Sequence, residues 1–357
     1  MNETLIVRGA PQEYICELGA WDKLEKHLEK RGITKILILH GSASWSVGEK
    51  FFPKLKKIEH YFKHYKNECS FENKAYFTNF IQKNEIDGVI ALGGGKVLDL
   101  GKLVANESHL PCVCLPTLAS TCAAYTPLSV IYNKQGEMVD MVFFSQGISL
   151  TLVDPSVILN SPKELLVAGI GDTLAKWYES DPVISQHKSY SAELAVAKFA
   201  AKECCDNLLI SSKKAIDDFE NKQVTEDFIK IVETNILLAG MVGGFGDKFG
   251  RTSGAHSIHD ALTRVPGTKK YLHGKKVAYG ILVQLVIEEK NQEVAKLILF
   301  YKKIGLPYRF SSLGVTRKDL DLIAEIANKD PLLHLLPQHI THEVIKSAMI
   351  ELEERAY

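Results

Sequence analysis

GVIALGGGKVLDLGKLVA, residues 88–105, joins an apolar run to three consecutive glycines and then to a helical pattern. The run Val89–Leu92 is typical of a buried strand, and the spacing after it predicts a helix that begins near Lys96. Glycine backbone at a helix N-terminus lets a phosphate approach closely, and the unpaired N–H groups there attract the anion. The candidate pyrophosphate-binding residues are Gly93, Gly94, Gly95, Lys96 and Asp99. The stretch is neither a G-x-G-x-x-G fingerprint nor a Walker loop, so a glycine-rich turn without a ligand is the alternative.

Short apolar runs of the same kind lie on both sides of this stretch. They are KILIL (35–39), PCVCL (111–115), LSVIY (128–132) and LTLVD (150–154), and helical or turn segments separate them. This alternation is typical of a parallel sheet covered by helices. It predicts an α/β domain over residues 1–160.

The pattern changes at NSPKELLVAGIGD, residues 160–172. Ser161 can cap a helix, Pro162 suits its first position, and Glu164 lies three residues after the cap. Apolar residues then recur at helical spacing in the segments 189–210, 223–240, 253–263, 274–290, 292–303, 316–328 and 341–355. The sequence therefore predicts an all-α domain over residues 161–357. Since no Ser/Gly linker separates the domains, we expect them to pack together with a ligand site in the cleft.

Composition limits the partners of the chain. It has 43 Lys and Arg against 43 Asp and Glu, so no net charge draws it to nucleic acid or an anionic membrane. The N-terminus lacks the pattern of a signal peptide, and no apolar run approaches the roughly 20 residues that span a bilayer. Seven cysteines without a CxxC pair indicate reduced, mostly buried thiols. We therefore expect a cytoplasmic protein that acts on a small molecule.

Two further groups of side chains can carry chemistry. LPTLASTCAAYTPLSVIYN, residues 115–133, places hydroxyls between two strands, where they can bind phosphate or ribose or simply form turns. Those hydroxyls belong to Thr117, Ser120, Thr121, Thr126 and Tyr132. In the second half of the chain stand one acid and three imidazoles, Asp172, His256, His259 and His273. A carboxylate and two imidazoles can hold a divalent metal and leave one position open. The alternatives are satisfied core histidines and an acid that favours a helix N-terminus.

Several of these motifs together resemble a known family. GGGKVLD, the PTLAST…LSVIY stretch, GIGD, AHSIH and YLHGKKVAYG occur in this order in the iron-containing alcohol dehydrogenase superfamily, and the chain is most similar to its glycerol dehydrogenase branch. TCAAYTPLSVIYN, AGIGDTLAKWYE, AGMVGGFGDKF and LHGKKVAYGILVQ resemble most closely the hydroxycarboxylate dehydrogenase A group, which reduces 2-oxo acids. The resemblance covers nearly the whole chain. It implies a Rossmann-like NAD(P)-binding domain followed by an all-α, dehydroquinate synthase-like metal domain.

The resemblance also assigns roles to residues. Asp172, His256 and His273 match the ligands of one divalent metal, Zn²⁺ or Fe²⁺, and His259 matches a histidine near the nicotinamide that can relay a proton. The positions that match cofactor contacts are Gly94, Gly95, Lys96, Asp99, Thr117, Ser120, Thr126, Leu128 and Tyr132. The metal would polarise the substrate oxygen while a hydride moves to or from the nicotinamide.

Two positions depart from the pattern of glycerol dehydrogenases. Cys122 stands where those enzymes carry an aspartate for substrate hydroxyls, so we expect a 2-oxo acid rather than glycerol, with Arg251 or Lys275 beside its carboxylate. A small buried filler is the alternative for Cys122. In ILILHGSASW, residues 36–45, His40, Gly41 and Ser42 replace the acid that often ends this strand in NAD-preferring relatives. No acid repels a 2′-phosphate there, and Ser42 and Ser44 can donate hydrogen bonds to it. These residues predict that NADP(H) is accepted and favoured, unless this is an ordinary strand-end turn.

Three functions fit these features. The first is a metal- and NAD(P)-dependent oxidoreductase that reduces 2-oxo acids, with a glycerol, polyol or simple alcohol dehydrogenase as its variant. The second keeps the fold but catalyses lyase chemistry, as dehydroquinate synthases do. The third binds a nucleotide without turnover, which the intact metal-ligand set disfavours. The resemblance also implies a homo-oligomer.

Overall fold

A computed structural model of the protein describes residues 4–355 as two compact units. The sheet unit contains residues 8–162 and 221–240, and the helical unit contains residues 4–7, 163–220 and 241–355. The segment 221–240 therefore packs with the sheet unit, although the sequence-based bounds place it in the second domain. Its helix contacts the short helix Pro155–Ile158 and buries Phe228, Ile231 and Val232. Helical periodicity revealed the helix but not the unit on which it packs.

Six of the eight strands in the described residues form one parallel sheet. The strands are β1 (Tyr14–Cys16), β2 (Lys35–His40), β3 (Glu59–His64), β4 (Gly88–Gly93), β5 (Cys112–Pro116), β6 (Leu128–Tyr132), β7 (Met138–Phe143) and β8 (Leu150–Val153). The sheet order is β1-β8-β5-β4-β2-β3, with every pair parallel. β4, β5 and β8 are buried along their whole length, which explains why they read as continuous apolar runs.

One predicted strand of the parallel sheet lies elsewhere. LSVIY forms β6, which pairs antiparallel with β7 in a separate two-stranded sheet. The connection is a tight turn in which Gly136 has a φ of +77°, and such a short turn can join only antiparallel strands. The prediction that LSVIY belongs to the parallel sheet is therefore wrong.

The helices follow the α/β and all-α halves that the sequence predicts. They are α1 (Leu24–Lys30), α2 (Ser42–Gly48), α3 (Phe71–Asn84), α4 (Gly95–Glu107), α5 (Pro155–Ile158), α6 (Lys163–Ile184), α7 (Ala192–Glu220), α8 (Glu226–Glu233), α9 (Ala239–Gly246), α10 (Gly254–Leu262), α11 (His273–Ile287), α12 (Asn291–Ile304), α13 (Leu320–Asn328) and α14 (His342–Glu354). A π-helical segment, Thr234–Leu238, joins α8 to α9, and several single 3₁₀ turns adjoin helices or lie in loops. The predicted combination of an α/β part with an all-α part is confirmed.

Two predictions from composition have different outcomes. All seven cysteines are free thiols and five are buried, as predicted. The apolar helical run Glu226–Phe249, however, has 24 residues and is long and apolar enough to cross a membrane by length and composition, against our prediction. Because 56% of its most apolar window is buried inside the protein, the run resembles a core helix.

Candidate metal centre and cofactor loop

The three predicted metal ligands lie on three helices of the helical unit. Asp172 is the tenth residue of α6, His256 the third residue of α10, and His273 the first residue of α11. A carboxylate so far inside a helix gains little from the helix dipole, which acts within the first turn. The alternative that Asp172 serves a helix N-terminus is therefore wrong.

Glycines explain why these helices come together. A Cβ added at Gly274 would lie 1.8 Å from the carbonyl oxygen of Ala168, and one at Gly171 would lie 2.5 Å from the carbonyl oxygen of Gly274. The backbones of α6 and α11 thus touch at a point where only glycine fits. Because His273 precedes Gly274 and Asp172 follows Gly171, this crossing places the two side chains together. Gly280 provides the same close approach between α11 and Ala255 of α10.

The donor atoms of the three side chains surround one small space. Oδ1 of Asp172 lies 3.0 Å from Nε2 of His273 and 3.4 Å from Nε2 of His256. One donor atom from each residue lies within 4.8 Å of the others. Tetrahedral ligands on a zinc-sized ion are about 3.3 Å apart, so the spacing fits a single metal. The His273 side chain is 45% exposed, which leaves an accessible side for a fourth ligand.

Electrostatics favour a cation at this point. Asp172 is buried, which by itself raises its pKa, but the charge of His273 and hydrogen bonds from His256 and His273 hold the pKa well below its usual range. Burial lowers the pKa of His256, yet the carboxylates of Glu179 and Asp172 outweigh this effect and raise it to about 10 in the metal-free protein. The site therefore gathers negative charge that a proton or a metal ion must neutralise.

Each imidazole ligand is also bonded through its other nitrogen. Nδ1 of His256 lies 2.7 Å from Oε2 of Glu179, and Nδ1 of His273 lies 2.8 Å from Nε2 of His259. His259 in turn contacts Asp260 through its own Nδ1 at 2.8 Å. Burial and the nearby charge of His273 lower the pKa of His259 to about 3, so this ring is neutral and its Nε2 can accept a hydrogen bond from Nδ1 of His273. Such outer partners set the tautomer of a metal-binding histidine.

Sequence reasoning missed Glu179 and Asp260. Glu179 follows Asp172 by seven residues, two helical turns, so the two acids share one face of α6. This spacing was the available signal, but an acid on a helix usually faces solvent. The geometry shows His259 in contact with His273. It does not test the proton-relay role that the resemblance gives to His259, so that role stays a prediction.

The predicted phosphate loop joins β4 to α4 in the sheet unit. Gly93 ends the strand, Gly94 is the N-cap, and α4 begins at Gly95. A Cβ at Gly93 would lie 2.9 Å from the Val97 side chain, so this position has no room for a side chain. Nζ of Lys96 donates to Glu68 at 2.8 Å and lies 4.6 Å from the ring centroid of Tyr132. Two predicted cofactor residues, Lys96 and Tyr132, are thus neighbours.

Two further residues from the predicted cofactor site lie beside the same loop. Thr117 donates its backbone N–H to the carbonyl of Gly93, and Thr121 lies near Gly95. The carbonyls of Thr126 and Leu128 accept bonds from Nζ of the buried Lys102. Ser120 and Cys122 are half-buried residues of the same connection from β5 to β6.

Asp99 has a structural position inside this unit. Its buried carboxylate contacts Lys102 at 2.9 Å and accepts from the backbone N–H of Val130 at 3.3 Å. Burial raises the pKa of Asp99, and Lys102 partly opposes that shift. The side chain therefore holds β6 against α4, whereas the resemblance counts it with the pyrophosphate loop.

The end of β2 carries a cluster that the sequence only partly indicates. His40 ends β2, Gly41 follows it, and Ser42 begins α2. Oγ of Ser42 lies 3.3 Å from Nε2 of His64, the last residue of the neighbouring strand β3. Polar groups from two strand ends therefore meet where the sequence predicts a ribose site.

Comparisons with known proteins identify the family of the chain. The iron-containing alcohol dehydrogenase family model matches residues 11–155. Hydroxycarboxylate dehydrogenase A of Escherichia coli (strain K12) is 34% identical over 359 residues, covering 99% of this chain and 98% of that protein. Glycerol dehydrogenase of Thermotoga maritima is 34% identical over 351 residues, covering 95% of this chain and 94% of that protein. The crystal structure of a probable glycerol dehydrogenase from Sinorhizobium meliloti 1021 has a TM-score of 0.86 at 27% identity and covers 98% of both chains.

Fold, site and comparisons together define an oxidoreductase of the dehydrogenase class. The chain belongs to the iron-containing alcohol dehydrogenase superfamily, within which it is similar to glycerol dehydrogenases and to hydroxycarboxylate dehydrogenase A. The resemblance recognised from the sequence is confirmed. Membership implies a nicotinamide cofactor and a metal, and the Asp172, His256 and His273 group can hold a metal ion.

Proposed function

We propose that the protein is a metal-dependent, NAD(P)-linked oxidoreductase that reduces 2-oxo acids to 2-hydroxy acids. The observation that supports it most is the convergence of Asp172, His256 and His273 on one space in a chain of this superfamily. The donor set is one carboxylate and two imidazoles, which suits both Zn²⁺ and Fe²⁺. When bound, the metal supplies Lewis acidity at the substrate oxygen and the nicotinamide supplies or accepts the hydride.

The chain's own residues prepare the site for these groups. Asp172 provides the anionic ligand, and Nε2 of the neutral His259 accepts a hydrogen bond from Nδ1–H of His273. Asp260, whose side chain is 63% exposed, holds His259 and connects this chain of hydrogen bonds to solvent. In the sheet unit, the start of α4 offers its N–H groups to the pyrophosphate, with Lys96 and Tyr132 beside it.

A 2-oxo acid is the proposed substrate because of Cys122. The thiol carries no charge when protonated, so it does not repel a substrate carboxylate as an aspartate would. Of the two proposed carboxylate partners, Arg251 lies 3.5 Å from Asp247, and Lys275 is half-buried two residues after His273. Buried Lys276 shares a helix face with His273 and is a third candidate.

The alternative substrate is glycerol, another polyol or a simple alcohol, as the names of several relatives suggest. Replacing Cys122 with Asp separates the two proposals. We expect Cys122→Asp to reduce kcat/KM for 2-oxo acids at least tenfold and to raise glycerol oxidation. Unchanged reduction of 2-oxo acids by the variant would remove the reasoning about Cys122.

We also propose that NADP(H) is accepted and favoured. The support is the cluster at the strand ends, where Ser42 stands in place of an acid and contacts His64, and both side chains can donate hydrogen bonds to a 2′-phosphate. A clear kinetic preference for NADH over NADPH on the same 2-oxo acid would reject this.

One screen tests the whole proposal. Protein loaded with Zn²⁺ or Fe²⁺ is assayed with 2-oxo acids, polyols and aldehydes. Reduction is measured with NADH or NADPH and oxidation with NAD⁺ or NADP⁺, and each assay is repeated after chelation. We expect chelator-sensitive reduction of 2-oxo acids. Activity that survives complete metal removal would contradict the proposal, and binding of nucleotide without turnover on any substrate would favour a non-catalytic role. Release of a substrate group without net change of the cofactor would favour lyase chemistry. A homo-oligomer in the cytoplasm remains part of the proposal.

A further inference from the structure

Glu179 is a fully buried acid that faces one of the proposed metal ligands. Its side chain is only 1% exposed, and it lies on α6 seven residues after Asp172. Isolated buried carboxylates are costly unless hydrogen bonds compensate them. The contacts of Glu179 therefore indicate why it is buried.

Three donors surround the Glu179 carboxylate. Oε1 accepts the backbone N–H groups of Ser253 at 2.8 Å and His256 at 2.9 Å, both at the beginning of α10. Oε2 lies 2.7 Å from Nδ1 of the His256 ring. Oε1 already accepts two N–H groups, and a hydrogen bond from the ring to Oε2 uses a proton on Nδ1.

We propose that Glu179 is the positioning residue that makes His256 a metal ligand, by holding the proton on Nδ1 so that Nε2 keeps its lone pair for the cation. The same carboxylate fixes the backbone of His256 through Oε1, so both the position and the tautomer of the ring depend on one side chain. This role rests on the proposed metal site. It places Nε2 of His256 on the side of Asp172, at 3.4 Å from Oδ1.

An amide cannot replace this carboxylate. In Glu179→Gln, if the amide oxygen accepts the two backbone N–H groups, the NH₂ group faces Nδ1 of His256 and drives the ring proton to Nε2, where it blocks the metal. If the amide is flipped, its NH₂ group faces the two backbone N–H donors and cannot accept hydrogen bonds from them. Loss of such outer partners typically lowers metal affinity about 10- to 100-fold.

The helical unit offers a matched control. Glu288, at the C-terminal end of α11, is also 1% exposed and accepts a bond from Gln284. It lies fifteen residues after His273, roughly 22 Å along the helix. Glu288→Gln makes the same chemical change in a buried acid that bonds Gln284 and Lys290 rather than a metal ligand.

The experiment measures Zn²⁺ affinity by competition with a chromophoric chelator for wild-type protein and both variants. We expect Glu179→Gln to bind Zn²⁺ about 10- to 100-fold more weakly and Glu288→Gln to bind it within twofold of wild type. Equal affinity of wild type and Glu179→Gln, or an equal loss in both variants, would overturn the role of Glu179. Wild-type protein that binds no Zn²⁺ would overturn the metal site itself, and this role with it.

A second measurement needs no variant and covers the case in which Glu179→Gln does not fold. In Zn²⁺-loaded wild-type protein with ¹⁵N-labelled histidine, the nitrogen resonances of His256 report its tautomer. We expect a protonated Nδ1 and a metal-bound Nε2. An unprotonated or metal-bound Nδ1 would overturn the proposal.

Discussion

The crossing of α6 and α11 provides the sharpest test of how the fold builds the metal site. We predict that Gly274→Ala destroys the site without replacing a ligand. The added Cβ would lie 1.8 Å from the carbonyl oxygen of Ala168, 2.6 Å from its carbonyl carbon and 3.1 Å from the backbone nitrogen of Asp172. These neighbours are backbone atoms, so no side chain can turn away.

The size of the effect follows from these distances. Ordinary contacts begin at 3.4 Å, so the contact between the added Cβ and the carbonyl oxygen of Ala168 is about 1.6 Å too short. The two helices must therefore separate by a similar amount. Overpacking of this kind costs about 1–3 kcal/mol and more where rigid backbone is hit, so we expect at least about 3 kcal/mol. The separation also pulls Asp172 away from His273, now 3.0 Å apart, and displacements of about 1 Å can reduce activity about 100-fold.

Gly243→Ala is the control, because Gly243 is also helical and its added Cβ would meet nothing closer than 3.8 Å. Denaturant unfolding in chelator measures stability, and chelator competition measures Zn²⁺ affinity. We expect Gly243→Ala to be neutral or to stabilise by about 0.5–1 kcal/mol, since alanine is the better helix former. If Gly274→Ala keeps wild-type stability and Zn²⁺ affinity, the glycine crossing does not position the ligands.

Three further predictions concern the cofactor, the sheet unit and pH. Ser42→Asp should lower kcat/KM for NADPH at least about tenfold by charge repulsion, while kcat/KM for NADH changes little. As a control, Ser46→Asp, exposed on the same helix, should leave both values unchanged. Equal effects of Ser42→Asp on both cofactors would refute the proposed 2′-phosphate site. Lys102→Met should destabilise the protein by about 3–5 kcal/mol in urea unfolding, because it leaves the Asp99 carboxylate buried without its cation and three carbonyls without a donor. The exposed Lys134→Met should change stability by less than about 0.5 kcal/mol, and similar losses in the two variants would contradict this reasoning. Nearby carboxylates raise the His256 pKa to about 10 in the metal-free protein, so Zn²⁺ must displace a proton from this ring. The affinity of the protein for Zn²⁺ should therefore rise about tenfold per pH unit from about pH 6 to pH 8. An affinity that does not change with pH would be incompatible with this site.

Much of the sheet unit could be predicted from the sequence because its central strands are buried on both faces. β4, β5 and β8 consist of buried residues throughout, so their signal is a plain apolar run. β3 and β7 escaped detection because β3 is a polar edge strand and nearly all of β7 is exposed. Apolar periodicity also could not assign β6 to its partner, because it identifies a strand without specifying its neighbour.

The metal site shows a similar division between what sequence does and does not contain. Resemblance identified Asp172, His256 and His273, and the structure brings them together. The sequence alone could not show that Gly171 and Gly274 touch, since that contact joins residues about a hundred positions apart. Glu179 was missed for the same reason, because its role appears only when the beginning of α10 is placed against α6.

The most direct test of the account is the position of the metal itself. Crystals of the protein loaded with Zn²⁺ can be measured at wavelengths on both sides of the zinc absorption edge, so that anomalous scattering locates the ion. We expect one peak about 2.0–2.2 Å from a carboxylate oxygen of Asp172 and from Nε2 of both His256 and His273. A zinc peak at another position, or the absence of a peak at these three side chains in protein that retains full activity, would contradict the proposed metal site.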